Sequence, residues 1–286
     1  MGKKNQSNKQ TRMPDPASLI AFGAAIGGAA GKFTERAWDA GAKWLDTYYA
    51  NHKEKTLKKA QQNSAGFLID LANKIKLLEE QQRISKETIE SAQDHPDFSV
   101  LLQKALLASA QTENKDKHEL LARLVAERLK VGPESRLAVV TKLACDAISG
   151  LTTKQLNLLG LLAQLSFVQN QNQVSANDFA THLQHMLGPY KEIEYDNLDI
   201  LHLEALSCVK HISFSANDLK VILANKNKGV MDWDGFNNSD LGKRILGMWN
   251  KPGIGLTGVS LTSVGMLIGV YVSDLLTKTR TNFGDL

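Results

Sequence analysis

The feature of this chain that most constrains its fold is a run of amphipathic segments from Asp97 to Val168. In one of them, apolar residues recur at steps of three and four positions, with charged residues between them. That spacing places the apolar side chains on one face of an α-helix and the charged ones on the other. Three further segments show a similar spacing. The run therefore predicts three or four consecutive helices that pack around a core.

The ends of these helices are marked by residues that interrupt or cap helical structure. Pro133 and Gly150 are expected to end two of them, and Thr152 or Thr153 can cap the last. Cys145 lies close to the apolar stripe, where a free cysteine is more often a small buried hydrophobe than a nucleophile. We expect one core that includes Leu121, Leu124, Val125, Leu143, Ile148, Leu159 and Leu162.

Composition supports a mainly α fold, namely a multi-helix bundle. Of the 286 residues, 43% are hydrophobic and only 6% are aromatic, which favours helices over a β-sandwich. The two cysteines provide no disulfide framework, so a reducing, cytoplasmic location is expected. The net charge of +4 is too small to indicate a nucleic-acid partner by itself.

Changes in sequence texture divide the chain into four expected parts. Residues 1–16 are predicted to form a basic disordered tail, and residues 17–92 a glycine-rich segment followed by long amphipathic helices. Residues 93–170 are predicted to form the central helical core. After a polar linker, residues 171–286 are expected to form a helical, winged-helix-like domain.

The segment from Ala17 to Gly31 contains no charged residue and places Gly23, Gly27 and Gly31 four positions apart. On one helix, these glycines would form a groove that admits another backbone closely. The segment is shorter than the roughly 20 residues that span a bilayer. Two interpretations remain open: a tight buried helical hairpin, or a helix that inserts into a membrane or forms oligomers.

Aromatic and basic residues flank this segment. Trp38 and Trp44 follow it among several lysines, an arrangement that suits a membrane interface or a packed helix with a charged face. The N-terminal tail could contact anionic lipid or nucleic acid. Its basic residues are Lys3, Lys4, Lys9 and Arg12.

A second uncharged stretch, from Gly253 to Ser273, lies near the end of the chain. Its 21 residues could just span a membrane. Its early glycines and β-branched residues instead favour a turn or short strand, followed by a core helix over residues 263–276. We expect any strands to be short and to lie near residues 221–223 and 255–259.

No catalytic, cofactor or metal motif stands out. The histidines lack the spacing of a zinc motif, and the Asp232–Asp240 loop lacks the glutamate that would close a calcium loop. The sequence has no phosphate-binding P-loop and no GxSxG nucleophile motif. A non-enzymatic protein without a cofactor or a metal is therefore expected.

The order of elements carries a family resemblance. A small-residue segment precedes a helical block containing HELLARLVAERL, then a helix start at LTTKQL, a histidine-bearing helix and a closing LTSVGMLIG. This order resembles bacterial abortive-infection proteins of the alpha kind and related helical phage-defence proteins, over residues 97–268. The resemblance implies host defence and transfers no catalytic residue. Leu261, Thr262 and Gly265 also resemble the sequence after the wing of winged-helix domains, so residues 175–270 are a candidate winged-helix-like unit.

Two functional hypotheses follow. The first is a non-enzymatic antiviral protein that acts at the inner face of a membrane through residues 17–31, with an anionic membrane surface, a phage-derived component or a second copy as its partner. The second is a winged-helix-like module that binds nucleic acid or protein. Its expected recognition region, residues 202–214, holds Lys210 opposed by Glu204, which makes nucleic acid the less favoured partner.

Overall fold

The computed structural model describes residues 16–168, 173–212, 218–253 and 255–281, with side chains described from residue 21 onward. These residues contain fourteen α-helices and two strands of three residues each, which confirms the predicted mainly α, multi-helix fold. Contacts divide the chain into two compact units, residues 1–130 and 131–286.

The first unit is built on a long helix, α3, against which most of its other helices pack. Its helices are α1 (Pro16–Ile26), α2 (Gly28–Tyr48), α3 (Glu54–Glu80), α4 (Lys86–Asp94), α5 (Pro96–Ala110) and α6 (Lys115–Arg128). The inner face of α3 buries Phe67, Leu68, Leu71 and Ile75 almost completely. Each such side chain contributes about 2 kcal/mol through the water-accessible area it loses on folding.

The second unit is built around its last helix, against which its first two helices pack. Its helices are α7 (Arg136–Gly150), α8 (Thr153–Ser166), α9 (Ala176–Leu187), α10 (Asn197–Ala205), α11 (Leu219–Asn225), α12 (Trp233–Asn238), α13 (Asp240–Trp249) and α14 (Ser263–Thr277). Helix α14 packs against α8 and α7. Its N-cap is Thr262, whose hydroxyl accepts a hydrogen bond from the Gly265 amide at 3.2 Å. The expected core helix near residues 263–276 is therefore present.

Two short strands pair across a large sequence separation. Strands β1 (Val209–His211) and β2 (Val259–Leu261) are antiparallel, with Val209 opposite Leu261. Helices α11, α12 and α13 lie between them in sequence. Among the described residues, the sheet has only these two strands. The β-hairpin that forms the wing of a winged-helix domain is therefore not present in that part of the chain.

One of the two expected strand positions is wrong. Residues 221–223 belong to α11, which begins after the N-cap Asp218. The second expected strand is displaced, because Leu256–Gly258 forms a 3₁₀ turn and the strand follows it at β2. Residues 213–217, which precede α11, lie outside the described residues.

The expected single core is divided between the two units. Leu121, Leu124 and Val125 are buried in the first unit, and Ile148, Leu159 and Leu162 in the second. The division falls inside residues 93–170 because α5 and α6 pack on α3, whereas α7 and α8 pack on α14. Leu143 was wrongly placed in a core, since it is 51% exposed. Helix α7 instead turns Ala144, Cys145 and Ile148 inward.

Candidate functional site: the α1–α2 hairpin

The uncharged N-terminal segment forms two helices joined at Gly27. Gly27 has φ 67° and ψ −171°, and Gly28 has φ 61°. L-residues with a side chain rarely adopt such backbone conformations, whereas glycine does so at little cost. The segment therefore forms a tight helical hairpin, which is one of the two interpretations that the sequence left open. The central glycine of the pattern forms its turn.

The outer two glycines of the pattern contact each other across the hairpin. A Cβ atom on Gly31 would overlap the carbonyl oxygen of Gly23, and one on Gly23 would lie 3.3 Å from the carbonyl oxygen of Gly31. The two helix backbones therefore touch, as small-residue spacing predicts. In contrast, a Cβ on Gly27 would have no atom within 4 Å, so Gly27 does not face another helix.

Helix α3 fixes the turn of the hairpin. Gly27 has no side chain with which to cap α2, and a carboxylate oxygen of Glu79 accepts a hydrogen bond from the Ala30 amide at 3.2 Å. A carboxylate is favourable there because the first amides of a helix lack partners and the helix dipole is positive at that end. Ala30 and Phe33, one turn on, are buried, so this end of α2 belongs to the core.

Helix α1 leaves part of its uncharged surface open to solvent. Ala21, Ala24 and Ala25 are exposed, and Phe22 and Ile26 are half-buried. A helix without polar residues normally lies buried on all sides. Over residues 21–26, α1 is uncharged and covered on one side only, so this part of the helix is a candidate surface for an apolar partner.

The two tryptophans occupy different environments in α2. Trp38 is 6% exposed and therefore belongs to the core of the first unit, whereas Trp44 is half-buried. Trp38 therefore fits a packed helix and not a membrane interface, because a membrane could reach this side chain only if the unit opened. Gly41, between them, brings α2 against α5: a Cβ there would overlap a methyl group of Leu106.

A small aromatic and basic cluster marks the far end of α2. The ring of Tyr49 lies 5.0 Å from that of Tyr48 and 5.1 Å from that of His52, in edge-to-face arrangements. Tyr48 is 52% exposed, and Lys53 and Lys55 beside it are exposed. The basic residues of the N-terminal tail, Lys3, Lys4, Lys9 and Arg12, lie outside the described residues.

No helix in the described part of the chain combines the length and the apolar character needed to cross a bilayer. Within the same residues, no three histidine, cysteine, aspartate or glutamate side chains are grouped closely enough to hold a metal ion. Two of the histidines have other contacts. His202 shares a hydrogen bond of 3.1 Å with Gln155, and His182 stacks on Phe179.

A partly buried carboxyl pair was not identified from the sequence. Asp70 on α3 lies near Glu119 on α6, and Lys74 forms an ion pair with Glu119. Burial, and then the charge of Glu119, raise the pKa of Asp70 to about 6. Four positions separate Asp70 from Lys74 on α3, but only the packing of α6 brings Glu119 to them. The pair is therefore a product of tertiary structure.

Comparison with known proteins places the chain in a family but gives no activity. No curated protein and no solved structure matches it. The model of a protein family without an assigned function matches residues 31–254, a region that begins in α2 and includes parts of both units. Since this match covers most of the 286 residues, the chain belongs to that family.

Proposed function

We propose that this protein is a non-enzymatic antiviral protein that acts at a membrane surface through the exposed face of α1. The observation that carries the proposal is the uncharged helix itself, which exposes Ala21, Ala24 and Ala25 beside the half-buried Phe22 and Ile26. Covering such a surface with lipid or with an apolar partner removes it from water and is favourable.

Two basic side chains that follow α1 suit the surface of an anionic bilayer. Lys32 and Arg36 are exposed on the first turns of α2, one helical turn apart, and follow the uncharged segment directly. Basic side chains at this position can contact lipid phosphates while α1 lies among the headgroups, a typical arrangement for amphipathic membrane-surface segments. The setting in phage defence rests on the resemblance to abortive-infection proteins of the alpha kind.

A vesicle assay tests the membrane step. The full chain is expected to sediment with vesicles of phosphatidylglycerol and phosphatidylethanolamine, and less with phosphatidylcholine vesicles. The double substitution Ala24→Glu with Ala25→Glu places two charges on the exposed face of α1 and should weaken vesicle binding roughly tenfold. Ala180→Glu with Ala205→Glu is the matched control, because these alanines are exposed on helices of the second unit.

The same variants test the biological role. Bacteria expressing the unaltered protein are expected to survive phage challenge better than cells with an empty vector, and the α1 double variant should lose this protection at equal protein level. Equal vesicle binding by both double variants would contradict the membrane proposal. Vesicle binding without protection would retain the membrane step and reject the defence role.

The alternative function, nucleic-acid binding by the second unit, has a direct test. Lys210 is exposed on β1, while a carboxylate oxygen of Glu204 accepts a hydrogen bond from the neighbouring His211 amide at 3.3 Å. This places a negative charge beside the expected contact residue. We expect any duplex DNA binding to be weak and strongly salt-dependent. Tight binding at physiological salt would reverse the ranking of the two functions.

A further inference from the structure

A cleft in the second unit is lined by more positive than negative side chains. It has a volume of about 420 Å³ and lies between α13 and the segment before α10. Its lining residues are Ile193, Glu194, Tyr195, Lys243, Arg244, Gly247, Met248 and Lys251. Clefts of this size hold small ligands in many proteins. These residues lie within the candidate winged-helix-like unit, residues 175–270, but outside its expected recognition region, residues 202–214.

Two of the three cations are fixed in position by backbone carbonyl groups. Arg244 donates from Nε to the carbonyl of Lys191 and from Nη2 to the carbonyl of Ile193, both at 3.1 Å. Lys251 donates to the carbonyl of Tyr195, and its ammonium lies 4.5 Å from the centre of that residue's ring. A guanidinium has five N–H donors and an ammonium three, so these bonds orient the groups without using all their donors.

The third cation is not held by a bond of this kind. Lys243 is exposed, and among the described residues its side chain has no ion pair or hydrogen bond. The lining contains one carboxylate, Glu194, which lies 3.7 Å from Arg244 and is 86% exposed. Three cations and one carboxylate give the cleft a surplus of positive charge, which favours an anion over a neutral ligand.

The lining of the cleft leaves open space beside α13. Gly247 lies one turn beyond Lys243 on α13, and a Cβ built on it would meet no atom within 4 Å. Met248 and Ile193 add apolar surface beside it. A ligand with one strongly anionic end and a less polar remainder fits this distribution of side chains.

We propose that this cleft binds a small phosphorylated ligand of nucleotide size, with its phosphate held by Lys243, Arg244 and Lys251. Planar guanidinium and ammonium groups are the usual protein partners of phosphate, and charge-assisted hydrogen bonds are the strongest available to them. The cleft belongs to the second unit and shares no residue with the exposed face of α1.

Calorimetric titration of the full chain tests the proposal with three probes: pyrophosphate, AMP and a ten-nucleotide single-stranded DNA. We expect AMP and pyrophosphate to bind the unaltered protein. Lys243→Gln should weaken both at least about tenfold, because one charge-assisted contact is lost. Lys210→Gln is the matched control, since it removes an exposed lysine of the same unit outside the cleft.

A second substitution separates the shape of the cleft from its charge. Gly247→Leu places a side chain in the open space at the lining of the cleft and should abolish binding. It should not lower the melting temperature, because leucine is also the better helix former. Failure of AMP and pyrophosphate to bind the unaltered chain would overturn the proposal. So would equal weakening by Lys243→Gln and Lys210→Gln, unchanged binding by Gly247→Leu, or binding of the oligonucleotide alone.

Discussion

The two segments near the ends of the chain both lack charge and contain glycines, but they lie in different environments. Helix α14 is surrounded, and Val264, Leu267, Ile268, Val270 and Val272 are all buried. Over residues 21–26, helix α1 has one covered side and exposes three alanines on the other. Both make close helix contacts through glycine, so absence of charge and glycine content do not distinguish them. The large aliphatic side chains of α14 do, because they provide the apolar area that makes a central helix stable.

The largest expected effect of a single substitution concerns α14, the buried helix of the two. A Cβ on Gly269 of α14 would overlap the carbonyl oxygen of Leu159 and lie 2.9 Å from the Cβ of Ala163. Helix α8 cannot yield without disrupting the core, so Gly269→Ala should lower the free energy of unfolding of the second unit by about 3 kcal/mol. Denaturant unfolding of the full chain measures the change.

A matched glycine gives the control for this prediction. Gly247 lies inside α13 with open space around its missing Cβ, and Gly247→Ala should be neutral or stabilising by up to about 1 kcal/mol. Equal destabilisation by the two substitutions would show that helix propensity, and not the α8–α14 contact, governs both positions.

The second prediction concerns the corresponding contact in the exposed hairpin. Gly31→Ala should force apart the backbones of α1 and α2, because its Cβ would overlap the carbonyl oxygen of Gly23. We expect a loss of about 2 kcal/mol, less than at Gly269, because α1 can detach while α2 stays in the core. Hydrogen exchange should therefore increase over residues 16–27 but not over α3.

Protection of α1 that remains unchanged in Gly31→Ala would contradict this view of the hairpin. Gly23→Ala offers a graded comparison. Its Cβ would lie 3.2 Å from the Cγ of Glu35, a side-chain atom that can move, so its effect should be smaller than that of Gly31→Ala.

The same comparison explains how much the sequence could predict. Helices and caps with local signals were predictable, for example Thr152, whose hydroxyl caps α8 in a capping box with Gln155. The four-residue glycine pattern predicted a close contact, and the structure shows this contact between Gly23 and Gly31. It could not indicate that Gly27 is the turn, because a helix and a hairpin with its turn at the central glycine give the same spacing.

What the sequence could not predict depends on contacts between distant segments. Glu79 caps α2 from another helix, and no local pattern around Ala30 indicates it. The cleft beside α13 requires Lys251, beyond the end of that helix, to reach the carbonyl of Tyr195. The exposed face of α7 was also misassigned, since Leu143 fits an apolar stripe whose neighbouring positions are the buried ones.

The third prediction concerns the pH dependence of the stability of the first unit. The raised pKa of Asp70, about 6 against an ordinary value of 3.8, means that the folded first unit binds a proton that the unfolded chain has released. Between these pH values, the contribution of Asp70 to stability is favourable at low pH and is lost as pH rises through 6. Asp70→Asn should therefore stabilise the first unit at pH 7 by roughly 1–2 kcal/mol, and much less at pH 4.

Unfolding curves of Asp70→Asn and the unaltered chain at several pH values measure this difference. The difference should grow from pH 4 to pH 6 and then level off. Glu119→Gln should reduce it, because the charge of Glu119 contributes to the raised pKa of Asp70. A difference that does not depend on pH would exclude Asp70 as its source.

The smallest expected effect concerns Gly27, where the sequence and the structure give different predictions. A groove that received another helix would tolerate alanine at this position and reject leucine. The structure instead gives Gly27 a positive φ and open space, so any side chain meets the same backbone cost and no neighbour. Gly27→Ala and Gly27→Leu should each destabilise the hairpin by about 1 kcal/mol, with a difference between them of less than roughly 0.5 kcal/mol. Hydrogen exchange of α1 in both variants measures it. A much larger loss for leucine would mean that Gly27 faces a helix in the functional state, for example one from a second copy of the chain.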